Sequence, residues 1–187
     1  MKIKLLFLAL FLSSIVSAQI KVGKIILDYE VEYEEETLKL NGAGIRSNFL
    51  LGDLYVGALY LKEKNSDPID IAFADEVMAI HLHITSRIIS KETIVNAIRD
   101  GFDKATNGNT EPYKEGIEKI KKYFSEEIEK GDTIDFVYLK DKGMVCYHNK
   151  KELGVIKGRD FKFVHFKIWL GEKPASKSLK RAMLGKI

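Results

Sequence analysis

Three short apolar runs, "TIDFVYL" (133–139), "GMVCYHN" (143–149) and "ELGVI" (152–156), follow one another with only polar turns around 140–143 and 149–152 between them. A parallel strand pair needs a crossover of roughly a dozen residues or more, so strands this close can pair only antiparallel. The spacing therefore predicts a meander, and any fold of this chain must be built around an antiparallel sheet.

The rest of the chain adds elements on both sides of that meander. "IILDYEVEY" (25–33) and "TLKL" (37–40) alternate as a first hairpin with Glu34 to Glu36 at its tip, and 45–61 reads as one long strand region with Gly52-Asp53 as a turn or bulge inside it. "NSDP" (65–68) is a loop, 69–74 a short helix and "VMAIHLHIT" (77–85) a further strand. Ser90 opens a helix whose Ile94, Ala97, Ile98, Gly101, Phe102 and Ala105 share one face. A second helix starts near Pro112, carries the stripe Ile117, Ile120, Phe124 and Ile128, and is stopped by Gly131-Asp132. After the meander, Asp160 is expected to cap a helix ending at Gly171, and a last helix runs from about Ala175 to Met183. Strands, two helices, strands and helices in that order indicate an α+β class and not a wound parallel sheet.

The first residues, "MKIKLLFLALFLSSIVSAQ", combine Lys2 and Lys4, the apolar run Leu5 to Leu12, and the small residues Val16-Ser17-Ala18. This is the layout of a cleaved signal peptide spanning 1–18, with one domain over 19–187 and an exported product, periplasmic or secreted. The apolar run is shorter than the ~18 residues that cross a bilayer, so no stable span is expected after cleavage. With 30 basic against 27 acidic residues, and two of the lysines in the leader, net charge gives no reason to expect nucleic acid or an anionic membrane as a partner. The single cysteine, Cys146, rules out an internal disulfide and lies in an apolar strand pattern as a core thiol.

Few residues carry chemistry. Gly42-Ala43-Gly44 lacks the third glycine and the following helix of a dinucleotide loop, so no cofactor is expected and the glycines read as a tight turn or bulge. His81 and His83 share a strand face, but nothing near in sequence completes a ligand set, so no metal is expected; His148 and His165 are isolated. Arg87 closes that alternating face and either pairs with helix acids or lines a cleft. No G-x-S-x-G elbow is present, the lysines and glutamates of 114–130 form a solvated helix face, and Trp169 reads as a core anchor. Arg46 constrains more. Its guanidinium stays charged, so in an apolar segment it must reach solvent, pair with a carboxylate, or hold a ligand anion through its planar fork.

Four segments in order, "LNGAGIR" followed by "YVGALYL", "ISKETIVNAIRDGF", "GDTIDFVYL" and "FKIWLGEKPASKSLKRAMLG", resemble the chalcone isomerase-like family, in its bacterial exported branch, from about residue 24 to 185. The resemblance implies an open-faced β-sandwich, an antiparallel sheet with helices packed on one face and a cleft between. In the plant enzymes of the family, the arginine after the Gly-x-Gly pair steadies the oxyanion of the cyclising substrate, and Arg46 matches it. Asn96 matches the family's helix asparagine, whereas Tyr55 stands at the threonine position and Ile89 at the tyrosine position. A second branch binds fatty acids without catalysis, an arginine and a tyrosine holding the carboxylate; Arg46 with Tyr55 or Tyr60 resembles that pair. The resemblance thus implies a binding protein for a fatty acid or similar amphipathic carboxylate, with Arg46, Tyr55, Tyr60 and Asn96 as ligand-binding residues. The alternative it leaves is an isomerase acting on a chalcone-like or other small enone or phenolic compound, with Arg46 and Asn96 catalytic.

Overall fold

The computed structural model describes residues 19–186; the expected signal peptide, 1–18, lies outside them. The chain opens with a small hairpin, β1 (Gln19–Val22) and β2 (Ile25–Asp28). Seven strands then form one antiparallel sheet in sequence order: β3 (Glu30–Tyr33), β4 (Glu36–Asn48), β5 (Gly52–Leu61), β6 (Met78–Ile84), β7 (Thr133–Leu139), β8 (Gly143–His148) and β9 (Lys151–Ile156). Helix α1 (Pro68–Phe73) sits between β5 and β6. Helices α2 (Lys91–Thr106) and α3 (Lys114–Tyr123) separate β6 from β7, and α4 (Arg159–Leu170) and α5 (Lys177–Met183) follow β9. The fold is the α+β, antiparallel-sheet-and-helices arrangement the sequence predicts.

The helices cover one face of the sheet, where Leu59, Ile80, Leu82, Phe136 and Cys146 meet Ile94, Ile98, Phe102, Phe166 and Trp169. On the other face Leu38, Leu40, Val56, Ala58, Ala79, Val137 and Val145 form a second core with Leu27 of the β1–β2 hairpin. The sheet curls over this second core. Tyr33 of β3 reaches across to donate to Asp135 of β7 at 2.9 Å, and its ring lies 6.0 Å from that of Tyr147 in β8. Cover on both faces explains why β5 is a continuous buried run and not an alternating one.

Gly42 and Gly44 lie inside β4, at a register shift between Leu40 and Gly42, so the expected bulge is present. Their main purpose is clearance. A Cβ on Gly42 would stand 2.1 Å from the Ala182 carbonyl oxygen, and one on Gly44 2.6 Å from Ala182 Cβ. The bare strand lets α5 lie directly on the sheet. At the opposite side, the buried Lys162 of α4 donates to the carbonyls of Ile71, Ala72 and Ala74 at 3.2, 2.8 and 2.6 Å, which satisfies the C-terminal end of α1.

Four boundaries differ from the sequence reading. Residues 25–33 are not one arm of a hairpin: Ile25–Asp28 pairs with Gln19–Val22, and only Glu30–Tyr33 pairs with β4. Residues 45–61 are the two arms of a hairpin, β4 and β5 joined through 49–51, not one strand region. Helix α3 stops at Tyr123; Phe124 and Ile128 are buried as expected but from an irregular segment, because burial and not helix sets their spacing. The cap of α4 is Gly158, and Asp160 sits in the first turn, where its charge meets the positive end of the helix.

Candidate functional site

On the helix-covered face, β4 and β5 place Arg46 opposite Tyr55 as cross-strand partners, and α2 and α4 cross above them. The space left between is a cleft of about 310 Å³, at the small end of the range for ligand sites. Arg46, Tyr55 and Trp169 form one polar group in its lining, with Asp100, Lys104 and Lys173 as its other charged residues; Leu82, Ile89, Phe136 and Ile168 make its apolar walls.

The hydrogen bonding within the Arg46, Tyr55 and Trp169 group is directional. Trp169 Nε1 donates to the Tyr55 hydroxyl oxygen at 3.0 Å, and Arg46 Nη1 approaches the same oxygen at 3.5 Å. The guanidinium carbon also lies 5.5 Å from the centre of the Tyr55 ring. Tyr55 is buried, its oxygen accepts from two donors, and its own proton meets no acceptor among the described residues. Arg46 is half-buried and, among the described residues, no carboxylate pairs with it. The arrangement presents a charged planar donor and a neutral O–H donor side by side, a geometry from which one anion can accept both.

Trp169 is the residue that sequence reasoning missed. A buried indole N–H needs an acceptor, and that requirement was legible; that Tyr55 supplies it depends on how α4 crosses the sheet. His165, one turn earlier on α4, is a second omission. Its ring is fully buried 4.5 Å from Phe136 and 5.3 Å from Trp169, both walls of the cleft, and neither nitrogen has a hydrogen-bond partner. Burial in this apolar surround pushes its pKa down to about 3.

The remaining expected residues separate. Asn96 lines the rim, exposed on α2, with its Oδ1 accepting from Arg99 Nη2 at 3.2 Å. Ile89 is buried in the cleft wall. Tyr60 is not in the cleft: five residues from Tyr55 on one strand, it points to the other face, where its hydroxyl donates to the Asp28 carbonyl at 2.9 Å. That correction leaves Tyr55 as the tyrosine beside Arg46. Arg87 is exposed and does not line the cleft. His81 and His83 also face away, with His81 Nδ1 2.6 Å from the buried Asp135 carboxylate, while burial holds His83 below its ordinary pKa. Among the described residues no three His, Cys, Asp or Glu side chains converge as a ligand set, and no helix is long and apolar enough to cross a membrane.

The family model described as chalcone isomerase-like matches residues 18–185. The chain belongs to the chalcone isomerase-like family. No curated protein matches it in sequence. Among solved structures, a fatty-acid binding protein of Arabidopsis thaliana superposes with a TM-score of 0.70 at 16% identity, covering 89% of this chain and 96% of that one. At that identity the likeness is one of fold. In this chain the Gly-x-Gly-x-Arg segment, Gly42 to Arg46, lies on β4, and Arg46 lines the cleft.

Proposed function

We propose that this chalcone isomerase-like protein binds a fatty acid or a similar amphipathic carboxylate. One observation carries the reading: Arg46 has no carboxylate partner among the described residues and stands beside a tyrosine whose proton is free. A carboxylate would take two parallel hydrogen bonds from Arg46 and a third from Tyr55, with its chain along Leu82, Ile89, Phe136 and Ile168. Each buried methylene adds about 0.8 kcal/mol. The likeness in fold to a plant fatty-acid binding protein supports the reading.

The test is titration with long-chain fatty acids, followed by calorimetry. Arg46→Ala is expected to weaken binding by about 1.5–3 kcal/mol, the range for a hydrogen bond to a charged group. Unliganded stability should hold or rise, since the change removes a charge without a partner. Arg46→Lys should restore only part of the affinity, because an ammonium lacks the fork, and Tyr55→Phe should cost less than Arg46→Ala. Unfolding of Arg46→Ala would make the residue an internal structural cation and end the assignment. Turnover of a chalcone by wild type, lost in Arg46→Ala, would establish the isomerase alternative instead.

The same proposal includes export, which the leader-like composition of 1–18 supports. Mass spectrometry of the protein from its own host should find a chain beginning near Gln19 with a lipid retained under native conditions. A chain retaining 1–18 would refute export with cleavage.

A further inference from the structure

The connection between β4 and β5 is unusual for a surface hairpin. Phe49 is 101% exposed, Leu50 85% and Leu51 46%, and Ile88 of the β6–α2 connection is 49% exposed. Hairpin tips are ordinarily polar, and exposed apolar side chains that stand together mark an interaction site.

The tip is a built feature. Asn48 Oδ1 accepts from the backbone N–H of Leu50 at 2.9 Å and of Leu51 at 3.2 Å, and Ser47 Oγ donates to Asp53 at 2.6 Å across the base. The loop that carries Ile88 is tied to the same base: Thr85 and Ser86 donate to the Leu54 carbonyl at 3.0 and 3.2 Å, and Thr85 Oγ1 to that of Asp53 at 3.2 Å. Hydrogen bonds therefore hold the two connections together at one end of the sheet. It is also the cleft's end, since Arg46 lies near the end of β4, three residues before Phe49 of the turn.

We infer that this tip inserts into the surface of a lipid bilayer and seats the mouth of the cleft against it. Two observations select a bilayer over a protein partner. A stable protein interface needs roughly 800 Å² from each side, more than four protruding side chains supply. The charges fit as well: Arg46 and Arg87 flank the apolar residues, while Asp53, the carboxylate of the tip, is engaged by Ser47. An apolar point with the exposed Arg87 next to Ile88 and Arg46 three residues before Phe49 matches an acyl interior beneath anionic headgroups. That the membrane also supplies the cargo, a fatty acid entering beside Arg46, rests on the binding function proposed above; the insertion does not.

The test uses vesicles of phosphatidylcholine and phosphatidylglycerol in equal parts, with and without brominated acyl chains. Phe49→Trp adds an indole at the tip, while the native Trp169 is buried and serves as background. On vesicles the added emission should shift to the blue and be quenched by the bromines. Phe49→Ser, Leu50→Ser and Leu51→Ser together should lower vesicle partition more than about ten-fold and slow oleate uptake from vesicles. Binding of decanoate from solution should stay unchanged in that variant. Emission that neither shifts nor is quenched overturns the inference. So does a concentration-dependent dimer that the triple serine variant abolishes, which would make the tip a self-association contact. If the added indole inserts but wild type binds no decanoate, the insertion stands and the fatty-acid reading falls.

Discussion

His165 offers the sharpest test of the packing beneath the cleft. In the fold its imidazole stays neutral because burial lowers its pKa to about 3 from the ordinary 6.5. In the unfolded chain it titrates normally. Between those two values the unfolded state binds a proton that the native state refuses, so stability falls as pH drops below 6.5. Going from about pH 8 to about pH 5, this group alone should remove about 2 kcal/mol, and the full loss is reached only near the folded value. His165→Leu removes the titration together with two buried nitrogens that have no partners. Relief of those nitrogens is worth about 1–3 kcal/mol, less about 0.5–1.5 kcal/mol for lost aromatic contacts with Phe136 and Trp169. The variant should therefore be about 1 kcal/mol more stable than wild type near pH 8 and about 3 kcal/mol more stable near pH 5. Urea unfolding of both proteins across this range measures the gap, in which every other titrating group cancels. A gap that stays constant within about half a kcal/mol would refute the reasoning, because it would mean the ring has a hydrogen-bond partner in the native protein.

Two further outcomes follow from groups outside the cleft. Burial pushes the Cys146 thiol up to about 12, so a thiol-specific disulfide reagent should react only as the protein unfolds, and rapid reaction of native protein would contradict the burial. Zinc and chelators should leave the melting temperature unchanged, since among the described residues no three His, Cys, Asp or Glu side chains converge; a zinc-dependent shift lost in His81→Ala would reinstate a metal site.

Much of the sheet was legible because period-two alternation and short turns leave few topologies open. The cleft was legible in part. Arg46 stood out because a charge in an apolar strand demands an explanation; Tyr55 enters through the family resemblance, and its pairing with Arg46 needs the hairpin, where the sequence alone reads as one strand region. Tyr60 could have been set aside from the sequence, since an odd offset along a strand reverses the face. Trp169 and His165 could not be placed, because the rotation of α4 against β5 and β7 is set by packing and not by periodicity. Phe49, Leu50 and Leu51 misled in the opposite way. An apolar run inside one apparent strand region reads as buried, and only the turn geometry set by Asn48 shows that it protrudes.

The curl of the seven-stranded sheet has a consequence for solubility. Its outer strands are β3 and β9, and their free backbone groups are templates onto which another chain could add a strand. Strand β3 carries Glu30 and Glu32 on its solvent side, so two copies pairing there would set carboxylate near carboxylate. Strand β9 begins Lys151-Glu152 and meets β8 through a register shift between Cys146 and Tyr147, which breaks the flat ladder an incoming strand would need. A protein that displays Phe49 and Leu50 to solvent thus carries, at both borders of its sheet, features that oppose the addition of a further strand.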